Sequence, residues 1–198
     1  AVFFMIFLSP ALTMRLIAEE QKLGTMELLM TSPLKDFEIV IGKFLAALSI
    51  IIVMIIGTLF YPIILIIFGV PDFGPIFTGY LGLILYSSST LSVGIFASSL
   101  SSNQLVSLVV GSGILSFLTF IDFVSSRLSG AFGTILNELQ LGGSFSLFDS
   151  SSFGIAEGGH FADFARGIIN VYDIIFYISV STIFLVLTIF SLESRRWR

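Results

Sequence analysis

Long runs without charged residues dominate this sequence. Three of them hold 28, 49 and 19 residues, and they lie between Lys43 and Asp72, between Asp72 and Asp122, and between Asp173 and Glu193. A helix needs about 20 apolar residues to cross the roughly 30 Å hydrocarbon core of a bilayer. The first and last runs therefore each predict one membrane crossing.

The middle run is too long for a single crossing. Its polar cluster at 98–104 predicts two helices joined by a tight turn. Residues 1–14 are read as the remainder of a further span, so five helices are predicted, the first incomplete. Pro62 predicts a kink in the run that follows Lys43. The predicted fold is an all-α polytopic transmembrane helix bundle.

Lysine and arginine are unevenly distributed between the loops. The first loop holds Arg15, Lys22, Lys35 and Lys43, and the C-terminus holds Arg195, Arg196 and Arg198. The loop at Asp72 has none. Because such residues are retained on the cytoplasmic side, we expect the first loop and the C-terminus to be cytoplasmic. The chain would then start outside, so a sixth helix is expected upstream of an N-terminally truncated sequence.

Composition agrees with a chain solvated by lipid. Hydrophobic residues make up 56% of the chain and charged residues 11%, against roughly 25% charged in a typical soluble domain. The absence of cysteine excludes disulfides, zinc–thiolate sites and cysteine nucleophiles. One histidine leaves little scope for a metal site, and a net charge of -4 gives no indication of a nucleic-acid partner.

The first loop, residues 15–43, carries nine charges in 29 residues. Gly24 is suited to end the incoming helix, and Thr25 to cap a short amphipathic one. Ser32 and Pro33 then predict the start of the long helix. This pattern predicts a compact segment at the membrane surface that is presented to a cytosolic protein. An ordinary polar loop is the alternative, although a passive connection needs only about 2–8 residues.

This loop resembles that of a known family. Residues 10–48 are similar to the permease subunits of type-2 ABC exporters, particularly the gliding-motility-like branch, which share an acidic pair, a GT-x-E-L-L-x-T-S-P stretch and a later G-K pair. The G-K pair corresponds to Gly42 and Lys43. The resemblance implies that the following hairpin residues couple the chain to a partner ATPase: Arg15, Glu19, Glu20, Gly24, Thr25, Glu27, Leu28, Leu29, Thr31, Ser32 and Pro33.

The family implies a single permease domain over residues 1–198, in the plasma (bacterial inner) membrane. It also implies an exporter in which a separate ABC-type subunit binds ATP and Mg²⁺, and in which a second permease copy completes the pathway. The chain itself would bind no cofactor and would not be an enzyme. In agreement with this, it contains no G-x-x-x-x-G-K-[ST] phosphate loop.

Two other classes of membrane protein are alternatives to an ABC permease. An intramembrane serine protease would use Ser112, between two glycines, with His160 as its base. A channel or secondary transporter would place ionisable groups within the membrane, and none is predicted in the five spans. Close helix packing or a lining for the substrate pathway is the reading for the small residues in the spans, which are Ser88, Ser92, Gly94, Gly111 and Gly113.

The segment 122–173 holds six acidic residues and two arginines, and it is predicted to be extracytoplasmic. Short interfacial helices are expected at 131–139 and 161–169. The second of these should have one apolar face, formed by Phe161, Phe164, Ala165 and Ile168. A lid over the helix ends is the favoured role. A gate at the outer mouth, or contact with an extracytoplasmic auxiliary protein, is the alternative.

Overall fold

The protein is helical throughout the residues that its computed structural model describes, which are 2–26, 35–69, 71–125, 139–142 and 160–196. Within them the helices are α1 (Val2–Thr13), α2 (Ala18–Leu23), α3 (Asp36–Thr58), α4 (Phe60–Phe68), α5 (Phe73–Leu100), α6 (Gln104–Ser125), α7 (His160–Ala165) and α8 (Val171–Arg196). No strand occurs in these ranges. The predicted all-α helix bundle is confirmed.

Four helical stretches of the described chain are long and apolar enough to cross a bilayer. They are Asp36–Phe68, Phe73–Leu100, Gln104–Ile121 and Val171–Ser194. They correspond to the four complete crossings that the charge-free runs predict. The position of the remaining crossing is taken by α1, which has 12 residues. A tight turn at 101–103 joins α5 to α6, as predicted, and the Asn103 side chain accepts the Leu105 N–H at 3.0 Å.

A break separates α3 from α4, and Pro62 explains its position. A proline has no N–H to donate to the carbonyl four residues earlier, and its ring clashes with that carbonyl. For Pro62 that carbonyl belongs to Thr58, where α3 ends. The Tyr80 hydroxyl of α5 donates to the freed Thr58 carbonyl at 3.0 Å. The predicted kink is present, and a neighbouring helix supplies the hydrogen bond that the proline removes.

The central helix of the bundle is α5. In its most apolar 18-residue stretch 67% of the residues are buried within the protein, against 11% for the Asp36–Phe68 crossing. Helices α1, α3, α6, α7 and α8 all pack against it. Its buried positions are rich in serine and include threonine and glycine, and small side chains let helices approach closely in lipid. A movement of α5 is therefore felt by nearly every other element.

Glycines bring α1 against α5 and α6. A Cβ at Gly94 would lie 2.2 Å from Thr13 Oγ1, and one at Gly111 would lie 3.1 Å from Pro10 Cβ. The first distance requires the missing side chain, and the second is tighter than an ordinary van der Waals contact. A Cβ at Gly113, by contrast, would meet no atom within 4 Å. Two of the three glycines singled out in the spans thus lie at close helix contacts, and the third lies at an open position.

The serines of α5 satisfy their hydroxyls mostly within the helix. Ser92 Oγ donates to the Ser89 carbonyl at 2.7 Å, and Ser88 Oγ donates to the Leu85 carbonyl at 2.7 Å. Ser88 also lies 3.3 Å from the Ser181 hydroxyl of α8. Such back-bonding allows serine to lie inside an apolar bundle without an unpaired hydroxyl.

The loop 15–43 and the C-terminal part of α8 meet at one end of the bundle, called the hairpin end below. A cluster of buried side chains joins them there: Ile17, Met26, Val40, Ile95 and Leu192. The other end holds Leu141, His160 and Asp173. The first loop and the C-terminus therefore share an end, which is the arrangement expected from the distribution of lysine and arginine.

Candidate functional site

The candidate site lies at the hairpin end, where the connection between α1 and α2 meets α5. Helix α2 begins without a capping side chain of its own at Ile17. Ser98 of α5 takes that role, because its Oγ accepts the Ile17 N–H at 3.2 Å and the Ala18 N–H at 3.1 Å. The same hydroxyl donates to the Met14 carbonyl at 3.1 Å. One side chain of the central helix thus satisfies backbone groups that the start of α2 would leave unpaired.

Helix α3 reaches the same place through Lys43. Its ammonium lies 2.6 Å from the Glu20 carboxylate of α2 and donates to the Leu16 carbonyl. The Lys43 side chain is 15% exposed and that of Glu20 is 33% exposed. Solvent and salt screen a partly buried pair less than an exposed one. We call the contacts of Ser98 and Lys43 with residues 14–20 the junction; they fix α2 to both α3 and α5.

The end of α2 is set by Gly24, as the sequence predicts. Its φ of +72° lies in the left-handed region that glycine enters without a steric penalty. Gly24 N–H donates to the Gln21 carbonyl at 3.4 Å, and the Gln21 side chain donates to the Ser99 carbonyl of α5 at 3.3 Å. A new helical turn follows at Thr25, and Met26 is buried in the cluster at the hairpin end. The chain therefore turns back onto the bundle directly after α2.

Comparison with known protein families matches residues 1–192 to the model described as ABC-2 family transporter protein. The chain belongs to the ABC-2 transporter family. It is a multi-pass integral membrane protein and a permease component of an ABC transporter, which is a transport component and not itself catalytic. Membership implies association with an ABC ATP-binding subunit. No curated protein and no solved structure matches the chain.

Five of the predicted coupling residues of this ABC-2 permease are described. Glu20 and Gly24 make the contacts given above, and Thr25 Oγ1 donates to the Glu20 carbonyl at 3.3 Å. Arg15 is exposed and Glu19 is half-buried. The other six lie outside the described residues: Glu27, Leu28, Leu29, Thr31, Ser32 and Pro33. The structure thus places the first half of the predicted hairpin.

Ser32 and Pro33, the predicted start of the long helix, lie outside the described residues. Lys35 is extended, with φ -82° and ψ 144°, and α3 starts at Asp36. The Glu38 carboxylate accepts the Lys35 N–H at 3.1 Å. This hydrogen bond to the third residue of the helix satisfies the N–H of the residue that precedes α3.

Ser98 is a functional residue that reasoning from the sequence missed. It opens the polar cluster at 98–104, which the sequence analysis uses solely as a turn signal. Its hydrogen-bond partners Met14, Ile17 and Ala18 lie 80 to 84 residues away in the chain. No local pattern reports a contact at that separation. A buried-serine pattern on the central helix was the available signal, and it did not single out one serine.

The charge that bounds the last predicted span, Asp173, is buried within the protein. Asp173 lies in the first turn of α8, within the candidate span Val171–Ser194, and is 4% exposed. His160 Nδ1 lies 2.6 Å from its Oδ1. In the sequence, Asp173 is the charged residue that precedes the last charge-free run. A charge paired inside the protein does not have to lie outside the apolar region.

The protease alternative finds no support in this geometry. His160 is paired with Asp173, whereas Ser112 Oγ donates to the Val109 carbonyl of its own helix at 3.2 Å. A nucleophile of this type needs its hydroxyl within hydrogen-bond reach of the base. Membership of the ABC-2 family also accounts for the chain without hydrolytic chemistry.

The interfacial helix predicted at 161–169 is shorter than expected, and its buried face differs. Helix α7 ends at Ala165, and Gly167 follows with φ +88°. His160, Ala162 and Phe164 are buried, whereas Ala165 and the later Ile168 are exposed. The predicted face assumed that the helix continues past Gly167. The other predicted helix, at 131–139, lies outside the described residues except for Leu139.

Proposed function

We propose that this permease works in an ATP-driven exporter, in which the loop 15–43 docks on a separate ATPase subunit. The junction is the observation that carries the proposal. It bonds the first helix of that loop directly to α5 through Ser98 and to α3 through Lys43. A force applied to α2 therefore reaches the central helix directly through the Ser98 hydroxyl.

The charge distribution supports an ATPase at the hairpin end. Four lysines and arginines lie in residues 15–43 and three at the C-terminus, and both segments lie at this end. Positively charged segments favour the cytoplasmic side of a bacterial inner membrane, where ATP is available. ATP and Mg²⁺ would be held by the partner, since the chain lacks the glycine-rich phosphate loop.

A second permease copy would complete the pathway. The Asp36–Phe68 crossing leaves most of its apolar stretch uncovered by the rest of the chain, with 11% buried. Lipid or a second copy is the partner suited to such a surface. In the proposed cycle, ATP binding closes the two ATPase subunits, draws the two hairpins together and tilts each α5, so that the paired bundles alternate between inward-open and outward-open states.

The experiment that tests this proposal compares two adjacent buried serines. Ser98→Ala removes the hydroxyl that joins α5 to α2, whereas Ser99→Ala removes one that donates to the Phe96 carbonyl of its own helix at 2.7 Å. The reporter is a single cysteine at Gly79, on the far half of α5, where a Cβ would meet no atom within 4 Å. The chain has no native cysteine, so thiol labelling of this chain reports that position alone.

In the reconstituted complex, ATP is expected to change the maleimide labelling rate of Gly79→Cys in the Ser99→Ala background. In the Ser98→Ala background the ATP effect should shrink about tenfold, since losing about 1.4 kcal/mol of coupling shifts a two-state equilibrium by that factor. The ATPase subunit should remain bound in both. Equal ATP effects in the two backgrounds would contradict the proposed route from the hairpin to α5.

A further inference from the structure

The end of the bundle opposite the hairpin contains a buried ionisable pair that the proposed coupling does not use. His160 Nδ1, at the start of α7, lies 2.6 Å from Asp173 Oδ1, and the two side chains are 8% and 5% exposed. The His160 ring stacks on Phe176, with 3.9 Å between ring centroids and 21° between planes. We call His160 and Asp173 the latch pair. It connects two helices separated by the turn at Gly167.

The two oxygens of the Asp173 carboxylate differ in their partners among the described residues. Its Oδ2 is buried and has no hydrogen-bond partner among the described residues. A buried carboxylate oxygen without a partner is unfavourable, because it has lost its water and gained nothing in return. An opening that lets water reach this oxygen would offset part of the loss of the contact with His160. The latch pair therefore holds α7 in place while keeping the free-energy cost of opening small.

Two further contacts fasten α7 to the central helix. Thr78 Oγ1 donates to the Phe164 carbonyl at 2.7 Å. Gly82 lets Phe164 approach so closely that a Cβ at that position would lie 2.7 Å from Phe164 Cβ. With six residues, α7 is too short to be a stable helix by itself. It depends on these contacts and on the latch pair, so it is suited to move as a unit.

Helix α7 covers the seam between α5 and α8. Phe161 contacts Tyr86 of α5 at 5.9 Å between ring centroids, and Phe164 contacts Tyr177 of α8 at 6.4 Å. Further along the same seam the Ser88 and Ser181 hydroxyls face each other. Tyr86 and Tyr177 also contact each other, with 6.1 Å between ring centroids, so removing α7 would expose this aromatic pair at the seam.

We propose that α7 is a flap over this seam, that His160 and Asp173 latch it closed, and that it opens during the transport cycle. The last part rests on the proposed function, whereas the latch itself does not. The test uses the full chain with its partner ATPase in proteoliposomes. The probe is a membrane-impermeant maleimide, applied to variants with one cysteine each.

Two alanines of α7 form a matched pair for this test. Ala162 is 1% exposed, whereas Ala165 is exposed, so Ala165→Cys should react quickly in every state. Ala162→Cys should react slowly at rest. Its labelling should accelerate at least about tenfold in the Asp173→Asn background and during ATP turnover. His160→Gln, which keeps a neutral N–H donor, should give an intermediate rate.

The Asp173→Asn measurement and the ATP measurement test different parts of the proposal. Unchanged labelling of Ala162→Cys in Asp173→Asn would overturn the latch. Unchanged labelling under ATP, in a complex that hydrolyses it, would overturn opening during the cycle. If the buried Ala47→Cys also becomes reactive in the Asp173→Asn background, that variant has unfolded. The comparison with and without ATP, made with the native latch pair, then decides whether the flap opens. If ATP has no effect at Gly79→Cys either, the proposed coupling fails, while the Asp173→Asn arm still tests the latch.

Discussion

Replacing Gly94 with valine is expected to destabilise the protein by about 3 kcal/mol, the upper part of the usual range for overpacking a filled site. A Cβ at Gly94 would lie 2.2 Å from Thr13 Oγ1, 3.3 Å from Thr13 Cβ and 3.4 Å from the Ser9 carbonyl oxygen. Rotation of Thr13 can relieve the first contact but leaves the other two. The two γ-methyl groups of valine would then have to separate α1 from α5. Thermal unfolding in detergent measures the loss.

Three further variants test the cause of this loss. Gly94→Ala should be less harmful than Gly94→Val, and Thr13→Ala should recover part of its cost, because it removes the nearest atom. Gly113→Ala is the control, since a Cβ there meets no atom within 4 Å, and it should leave the unfolding midpoint near that of the natural protein. Equal destabilisation by alanine at Gly94 and at Gly113 would show that the close approach of α1 to α5 is not what Gly94 provides.

Replacing Lys43 with methionine is expected to cost about 2 kcal/mol, the typical loss for a hydrogen bond to a charged group. Methionine retains much of the apolar length of lysine but leaves the Glu20 carboxylate and the Leu16 carbonyl without their partner. The partial exposure of Glu20 keeps the cost below that of a fully buried pair. The unfolding midpoint of the purified permease measures the effect.

Exposed Lys22, on the same loop, supplies the control for Lys43. Lys22→Met should change the unfolding free energy by less than about 0.5 kcal/mol, as is usual at exposed positions. Adding Glu20→Gln to Lys43→Met should recover part of the loss, because the unpaired charge is then gone. A double variant that is no more stable than Lys43→Met would indicate that the ion pair contributes nothing beyond the contact with Leu16.

The crossings could be predicted because they follow from one physical requirement. An apolar run long enough to span hydrocarbon forms a helix in lipid, since no other partner exists for its backbone groups. The tight turn at 101–103 and the stop at Gly24 were also predictable, because capping side chains and left-handed glycine act within a few residues. The kink at Pro62 was predictable because proline also acts locally, on the carbonyl four residues earlier.

The contacts between distant segments could not be predicted. The role of Ser98 depends on Met14 and Ile17, far away in the sequence, and serines of similar local pattern nearby bond within their own helix. Asp173 looked like the boundary of a span, because the sequence does not show that His160 would meet it. The central position of α5 likewise depends on which helices surround it. Tertiary packing decides each of these points.

The central claim is that residues 15–43 bind an ATPase and pass its movement to α5 through the junction. Its most direct test is co-purification of the partner ATPase with three forms of the permease: the natural chain, a variant in which residues 24–32 are scrambled, and Ser98→Ala. The ATPase is expected to co-purify with the natural chain and with Ser98→Ala and to be lost from the scrambled variant. Retention of the ATPase by a correctly folded scrambled variant would contradict this claim.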